Sequence, residues 1–404
     1  MNVNRLYRLT GGVCHHDWGD RGAPGRVPLI AQLLGRHADG RPFAELWMGA
    51  LPPLAAGVPD WPGAPTLDVL IQQHPQALLG PALTASGVAT LPFLLKILSC
   101  SQPLSIQAHP DRVHAAELHA HDPANYPDAN HKPEIAVALT PFVALAGFRT
   151  AAAVQADLER IPALAPFFAG LTGGPEWLRE AYGRVFTASA GAVAAAGRDT
   201  AVHLAASVQR TGHEDLFRRC VALFPDDRGA LSIFFLNLLN LQPGEAIYLP
   251  PNEPHAYVEG TVVECMAASD NVVRAGLTRK FVDAKVLLRL LTYRSGLPLR
   301  LHGTLTAPGV RRYRVPTPEF DLEFRDMHGP AVVPAESCLS LLLILEGDVH
   351  LATPEWEWIA PRGSILLWPA AVPFVRVTPR SATARWVRAI AGSGTLAGSA
   401  GSLP

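Results

Sequence analysis

The sequence contains few cysteines, few charges and no long apolar run, and each shortage excludes a class of protein. Only five cysteines occur in 404 residues and no two form a CxxC pair, which argues against a disulfide framework and against a thiolate zinc site. The most apolar stretch, residues 339–345, has the length of a strand and falls far short of the roughly 18 residues that a membrane span needs. A metal bound by this chain is therefore expected to use nitrogen and oxygen ligands.

The balance of charges argues against nucleic acid as a partner. With 34 Lys and Arg against 35 Asp and Glu, the net charge of −1 gives no electrostatic reason to bind nucleic acid. At 49% hydrophobic residues the chain is too apolar to be disordered. The opening MNVNRLYRLTGG has no apolar segment, so we expect no signal peptide and a soluble, cytoplasmic protein of two or three domains.

Short apolar runs separated by 34 glycines and 37 prolines indicate a mainly β protein. Between residues 150 and 228 the sequence consists of Ala-rich segments with helical periodicity, which predicts a helical domain inserted into a β domain. The predicted domains are a first β domain in two parts (1–149 and 229–294), the helical insertion (150–228) and a second β domain (295–404). Within them we predict strands at 92–97, 104–108 and 134–139 and helices at 110–120 and 283–291.

A weak internal repeat links the two β domains. GEAIYLPPNEPHAYV from Gly244 aligns without gaps with GSILLWPAAVPFVRV from Gly363, matching one glycine and two prolines. Two copies of one β-sandwich unit explain the match, and chance matching of Gly and Pro is the alternative. His255 of the first copy is replaced by Phe374 in the second, so only the first copy could hold a metal.

Three segments, SIQAHP, NHKPE and NEPHAY, carry candidate metal ligands. Gln107 and His109 are two apart, which places both side chains on one face of a strand. Glu134 begins a predicted strand and His255 follows a turn, so two imidazoles, a carboxylate and an amide oxygen make a plausible zinc shell. His131 fits by spacing as well, although we rank it below Glu134. Each residue alone is more often a surface or core residue, and spacing does not decide among them.

A fourth segment, SDNVVRAGLTRKF, concentrates positive charge. Asp270 lies in a turn, and Arg274, Arg279 and Lys280 follow within a few residues. A solvated basic loop is one interpretation. The apolar neighbours of Arg274 favour the other, in which a partly buried guanidinium meets an anion.

Taken together, these segments resemble the type I mannose-6-phosphate isomerases (phosphomannose isomerases), a family of zinc-dependent cupin enzymes. The matching stretches are AELWMGA (44–50), PFLLKILSCSQPLSIQAHPD (92–111), YPDANHKPEIAVALTPFVALAGFR (126–149), LNLLNLQPGEAIYLPPNEPHAY (236–257) and VECMAASDNVVRAGLTRKF (263–281). They span the first 290 residues or so, and the last hundred match only in their β-rich character. The resemblance implies a cupin (jelly-roll) catalytic domain, a helical insertion and a second, metal-free cupin-like domain.

The resemblance also implies a reaction and roles for particular residues. The reaction is the reversible isomerisation of mannose 6-phosphate and fructose 6-phosphate through a cis-enediol, which links mannose and GDP-mannose metabolism to glycolysis. One zinc ion per chain, a sugar phosphate as the only partner and a monomeric state are expected. The implied zinc ligands are Gln107, His109, Glu134 and His255; the implied catalytic residues are Arg274, Lys132 and Asp270; the implied substrate-binding residues are Lys96, Ser105, Tyr257, Glu264 and Lys280. The proton-transfer group stays open among Lys132, Asp270 and Glu264.

The sequence departs from the family pattern at the rim of the expected pocket. In the N-terminal QxYxWG segment, Cys14 and His16 replace the Gln and Tyr, while Leu51 replaces a common His and Arg279 a Pro. None of these is an implied metal ligand, so the departures bear on substrate preference. Two other functions remain open: a cupin oxygenase, since two His and one carboxylate also bind non-haem iron, and a non-catalytic sugar-phosphate-binding protein.

Overall fold

The computed structural model describes residues 3–171, 174 and 176–392, and β-strands dominate it. The strands are β1 (Tyr7–Leu9), β2 (Gly12–Cys14), β3 (Glu45–Gly49), β4 (Phe93–Cys100), β5 (Ile106–Ala108), β6 (Glu134–Ala138), β7 (Phe142–Phe148), β8 (Leu236–Leu241), β9 (Ala246–Leu249), β10 (His255–Ala267), β11 (Val273–Gly276), β12 (Arg300–Leu301), β13 (Thr304–Ala307), β14 (Val310–Tyr313), β15 (Phe320–Met327), β16 (Ala331–Pro334), β17 (Ser340–Glu346), β18 (Val349–Thr353), β19 (Trp356–Ala360), β20 (Ile365–Trp368), β21 (Phe374–Pro379) and β22 (Ala384–Ala391). The mainly β architecture with several structural units that the sequence predicts is confirmed.

The α-helices are α1 (Leu29–Leu33), α2 (Leu67–Gln73), α3 (Pro75–Leu79), α4 (Pro81–Ala85), α5 (Arg112–His121), α6 (Ala151–Arg160), α7 (Ala165–Phe168), α8 (Trp177–Thr187), α9 (Ala190–Ala206), α10 (Gly212–Leu223), α11 (Arg228–Ser232) and α12 (Ala284–Leu290). Two 3-10 turns, Pro162–Leu164 and Ile233–Phe235, complete the helical elements. Helix α5 begins two residues after the predicted start because the Asp111 side chain accepts a hydrogen bond from the backbone N–H of His114 and caps it. No helix among the described residues has both the length and the apolarity to cross a membrane.

The long strand β10 joins the two layers of the first β unit. Its first residues pair with β5 and β7, whereas residues 260–267 pair with β4 and residues 262–266 with β6. The change of partner occurs at Gly260, where φ is +111° and a Cβ would lie 2.5 Å from the carbonyl oxygen of Pro141. Only glycine tolerates that backbone conformation and that contact, so Gly260 allows one strand to serve both layers.

Helices α6 to α11 lie between β7 and β8, which pair directly with each other. Trp177, Tyr182 and Phe217 of the insertion are buried in an apolar core that also includes residues of the first β unit, such as Ile106 and Phe148. Three of its helices begin at Thr150, Ser189 and Thr211, each of which accepts a hydrogen bond from the third helical residue. The segment predicted to be helical is therefore helical in the structure. The exact domain boundaries stay a prediction.

The C-terminal unit consists of a seven-stranded and a four-stranded antiparallel sheet. Its seven-stranded sheet includes β1 from the start of the chain, which pairs with β20. The two repeat segments also align in structure, because β9 and β20 occupy the same alignment positions and His255 and Phe374 each begin the following strand. This agreement supports two copies of one unit.

Candidate metal centre

Three of the four expected metal ligands converge at one end of the first β unit. His109 follows β5 directly, Glu134 begins β6 and His255 begins β10. Their candidate ligand atoms all lie within 4.8 Å of one another, and the three side chains are almost completely buried. Antiparallel pairing contributes to the convergence, since His255 lies opposite Gln107 of β5 and Glu134 lies opposite Leu249 at the end of β9, just before the turn that leads to His255.

The two imidazoles are held in a defined tautomer. His109 Nδ1 lies 2.6 Å from the carbonyl oxygen of Asn271, and His255 Nδ1 lies 3.0 Å from that of Glu253. Because a carbonyl oxygen only accepts, each Nδ1 carries the proton and each Nε2 presents a lone pair. Both Nε2 atoms are buried without a hydrogen-bond partner among the described residues.

These lone pairs face a carboxylate at distances that suit one small cation. His109 Nε2 lies 3.3 Å from Glu134 Oε1, and His255 Nε2 lies 3.4 Å from Glu134 Oε2. Ligand atoms about 2.0–2.1 Å from one tetrahedral zinc ion lie about 3.3–3.4 Å apart. Burying two imidazole lone pairs and a carboxylate against one another, with no proton shared among them, costs free energy unless a cation binds all three. The residues therefore fit a metal cofactor.

Electrostatics keep the donors in the forms that bind metal. Burial, with the charge of Lys132, lowers the pKa of His109 to about 4, so the ring is neutral. Burial alone would raise the pKa of Glu134, but the neighbouring His109 and Lys132 outweigh it and hold that pKa well below its usual value. The site therefore combines a neutral His109 imidazole with an ionised carboxylate.

The expected amide ligand and the expected catalytic arginine are neighbours on adjacent strands. Gln107 of β5 lies opposite both His255 of β10 and Arg274 of β11. Ser105 donates a hydrogen bond of 3.3 Å to Gln107 Oε1, which orients the amide. Arg274 is half-buried, burial lowers its pKa, and its guanidinium has no hydrogen bond or ion pair within the described chain. A half-buried cation without an anion is suited to bind one from solution.

A second row of polar side chains runs beside the donor set. Lys132 Nζ lies 3.5 Å from Glu134 Oε1, and Lys96 Nζ lies 3.2 Å from Glu264 Oε2. Tyr257 donates a hydrogen bond of 2.7 Å to Glu264 Oε1. All five are buried, and burial of Glu264 raises its pKa, with the ammonium of Lys96 acting against the shift. Both oxygens of Glu264 are therefore engaged.

Two expected site residues lie at the surface. Asp270 and Lys280 are exposed, and neither forms an ion pair in the described part of the chain. Asp270 still acts at a distance, because its charge offsets part of the burial effect on the pKa of Arg274.

His131, the alternative ligand left open by spacing, lies outside the donor cluster. Its Nε2 lies 2.7 Å from Glu319 Oε1 of the C-terminal unit, and Arg112 binds the same oxygen at 2.6 Å. Glu319 is 188 residues away in the sequence, so local spacing could not reveal this partner. Ranking Glu134 above His131 agrees with the geometry.

Sequence reasoning missed the residues that orient the two histidines. Asn271 offers its carbonyl to His109, and its side-chain amide is fixed by Asp128, with Nδ2 2.6 Å from the Asp128 carbonyl oxygen. Glu253 does the same for His255 through its own carbonyl. Both residues act through a backbone carbonyl, which every residue type has, so their identity carries no signal. The one available signal is that both lie close in sequence to the ligand motifs.

Comparison with known proteins shows which family the chain resembles. A family model described as the catalytic domain of type I phosphomannose isomerase matches residues 6–151. Mannose-6-phosphate isomerase of Homo sapiens is 35% identical, over 91% of this chain and 94% of its own length. Mannose-6-phosphate isomerase 1 of Arabidopsis thaliana is 35% identical over 91% of this chain and 90% of its own length.

Solved structures agree over almost the whole chain. Apo mannose 6-phosphate isomerase of Salmonella typhimurium superposes with a TM-score of 0.83 at 28% identity, covering 96% of this chain and 99% of its own. A mannose 6-phosphate isomerase bound with zinc and yttrium gives the same score, identity and coverage.

Proposed function

The chain belongs to the type I phosphomannose isomerase family, and from that membership we propose that it interconverts D-mannose 6-phosphate and D-fructose 6-phosphate. The observation that carries the proposal is the convergence of His109, Glu134 and His255, with two imidazole lone pairs facing one carboxylate. Curated isomerases covering nine-tenths of the chain disfavour the oxygenase and the non-catalytic binding protein.

We propose one zinc ion per chain, held by Gln107, His109, Glu134 and His255. The donor chemistry supports this, because zinc accepts imidazole nitrogen and carboxylate oxygen at tetrahedral spacing. When bound, zinc would polarise the sugar oxygens. The remaining steps depend on the chain's own side chains.

The phosphate of the substrate needs cations and hydroxyl donors that are free to reach it. Lys280 is exposed and makes no ion pair within the described chain, and Ser105 is half-buried beside Gln107. We assign phosphate binding to these two residues. Lys96 is also expected to contact the phosphate, but its ammonium forms an ion pair with Glu264 inside the sheet. We therefore infer that Lys96 influences the site through its positive charge rather than by direct contact.

The isomerisation moves a proton between C1 and C2 of the open-chain sugar through a cis-enediol. Arg274 would stabilise the negative charge that develops on the sugar oxygens, since its guanidinium is half-buried and lacks a protein anion. Among the three proton-transfer candidates, Asp270 faces solvent and Glu264 has both oxygens engaged. Lys132 contacts the donor set, and we assign it the proton transfer.

Metal analysis combined with an isomerase assay tests this function. Purified protein should contain one zinc at this centre and convert mannose 6-phosphate in a coupled assay. Chelation should abolish turnover, and added zinc should restore it. His255→Ala should lose one zinc per chain and all turnover, while the exposed control His37→Ala should keep both. Full turnover after complete removal of zinc would refute the assignment.

The finer expectations of the sequence belong to the same proposal. We propose a cytoplasmic monomer without a nucleic-acid partner, supported by a net charge of −1. Gel filtration with light scattering measures the oligomeric state directly.

A further inference from the structure

A second group of metal-binding side chains lies beside the centre described above. Cys14 ends β2, His16 follows it, and Glu45 begins the neighbouring strand β3. Cys14 and Glu45 are paired across the two strands, and the candidate ligand atoms of all three residues lie within 4.8 Å of one another. This proximity comes from strand pairing rather than from local spacing, so the sequence alone gave no sign of it.

We propose that Cys14, His16 and Glu45 form a second divalent-metal site, which takes a borderline or soft cation such as Zn²⁺ or Cd²⁺. Thiolate sulfur, imidazole nitrogen and carboxylate oxygen are all zinc ligands, and thiolate favours zinc and softer cations over magnesium. Three protein ligands leave the fourth tetrahedral position for water. The site shares no ligand with the His109, Glu134 and His255 centre.

The three side chains are available for coordination. Cys14 is the only one of the five cysteines that is not buried, so its sulfur can be reached from solution. Neither ring nitrogen of His16 has a hydrogen-bond partner among the described residues, and the ring packs on Trp18 with 5.4 Å between centroids. Glu45 is buried, and its Oε2 accepts a hydrogen bond of 2.6 Å from Trp47 Nε1, which orients the carboxylate.

Charge balance favours an ion at this position. A thiolate and a carboxylate together neutralise a divalent cation, whereas the first centre has one carboxylate and keeps a net positive charge when loaded. Without metal, burial and the neighbouring Glu45 raise the pKa of Cys14 to about 12, so the thiol keeps its proton. Binding would replace that proton with the metal and release it to solvent.

Lys96 connects the two centres electrostatically. Its Nζ lies 4.8 Å from the centroid of the Trp47 ring, next to Glu45, and 3.2 Å from Glu264 on the other side. Its charge lowers the pKa of Glu45, and Glu134 of the first centre in turn raises the pKa of Lys96. A metal at the second site would therefore change the field that Lys96 presents to the first.

Cobalt titration of the metal-free chain tests the second site without an activity readout. Only this site contains sulfur, so Co²⁺ bound there should produce near-ultraviolet thiolate-to-cobalt charge-transfer absorption, which the nitrogen and oxygen donors of the first centre cannot give. Metal analysis should find two cobalt ions per wild-type chain. Cys14→Ser should keep one and lose the absorption, and His16→Ala should weaken it.

The complementary variant His255→Ala should lose the other cobalt ion and keep the absorption. Circular dichroism of each variant verifies folding, and Mg²⁺ serves as a control ion that should not compete at the sulfur site. One cobalt ion per wild-type chain without thiolate absorption, or absorption that survives Cys14→Ser, would overturn the second site. Either result leaves the proposed isomerase function standing, because that function depends on the first centre.

Discussion

Replacing Arg274 by alanine separates metal binding from charge stabilisation at the proposed active site. The guanidinium is half-buried and has no hydrogen bond or ion pair within the described chain, so its removal leaves no protein anion without a partner. Its backbone pairs with Gln107 across β5 and β11, and that pairing does not require the side chain. We therefore expect the fold and the metal content of Arg274→Ala to match the wild type.

The expected loss of turnover follows from the position of this charge. A unit charge about 4 Å from a developing oxyanion contributes about 4 kcal/mol at the effective dielectric constant of about 20 that suits a partly buried pair. Since about 1.4 kcal/mol corresponds to a factor of ten in rate, kcat should fall by roughly 10²–10³. KM should change much less, because the charge on the sugar oxygens is largest in the transition state.

Steady-state kinetics with mannose 6-phosphate and zinc analysis of the same preparations check this prediction. Arg274→Lys keeps the charge but loses the planar fork, so it should recover only part of the rate. Arg279→Ala removes an exposed cation five residues away and should have near-normal kcat. Near-normal kcat in Arg274→Ala, or loss of zinc from it, would refute the role assigned here.

Three further changes address stability and metal binding. Glu319→Gln removes the carboxylate bound by His131 at 2.7 Å and should lower the free energy of unfolding by about 1–3 kcal/mol. Although burial opposes it, hydrogen bonding to His131 lowers the pKa of Glu319, so the group stabilises the fold above its unfolded pKa of about 4.3 and loses that effect at lower pH. His255→Ala should reduce the fall in melting temperature that chelators cause, because one bound metal ion is lost. Gly229→Ala places a Cβ 2.5 Å from the backbone nitrogen of Leu277 and should destabilise the chain by about 1–3 kcal/mol.

The changes at Glu319 and Gly229 each have a matched control. Glu357→Gln removes an exposed carboxylate 3.2 Å from His350 and should cost less than about 0.5 kcal/mol. Gly183→Ala adds a Cβ that meets no atom within 4 Å in helix α8 and should be neutral or stabilising. Equal destabilisation by Glu319→Gln and Glu357→Gln, equal effects of the two glycine changes, or an undiminished effect of chelators on the melting temperature of His255→Ala would contradict the reasoning.

Local patterns were sufficient wherever the determining contact is local. The helix predicted at 110–120 is observed as Arg112–His121, and the strand predicted at 134–139 as Glu134–Ala138. The expectation that Gln107 and His109 lie on one face of a strand rests on the two-residue period of a strand; the structure places Gln107 on β5 and His109 directly after its end. Alternation and capping are encoded within a few residues, so the sequence shows them.

Contacts between distant segments could not be predicted in the same way. His131 does not join the donor set because its side chain contacts Glu319, and Glu134 occupies that place instead. The pairing of Cys14 with Glu45 depends on how β2 lies against β3, and the pairing of β1 with β20 joins the two ends of the chain. In each case the deciding partner is set by strand order, which no spacing rule reveals.

The first copy of the β unit brings metal-binding side chains together, whereas the described residues of the second copy contain no such group. In the first copy His255 begins β10 with its Nδ1 held by a carbonyl, and strands β5 and β6 bring the other donors to its Nε2. In the second copy Phe374 begins β21, and Trp368 and Trp386 fill the core beside it with almost no exposure. A metal centre requires converging donors and space between them, and bulky aromatic side chains remove both. At this position the second copy therefore has an aromatic side chain where the first has a histidine, and its sheet also pairs with the N-terminal strand β1 through β20.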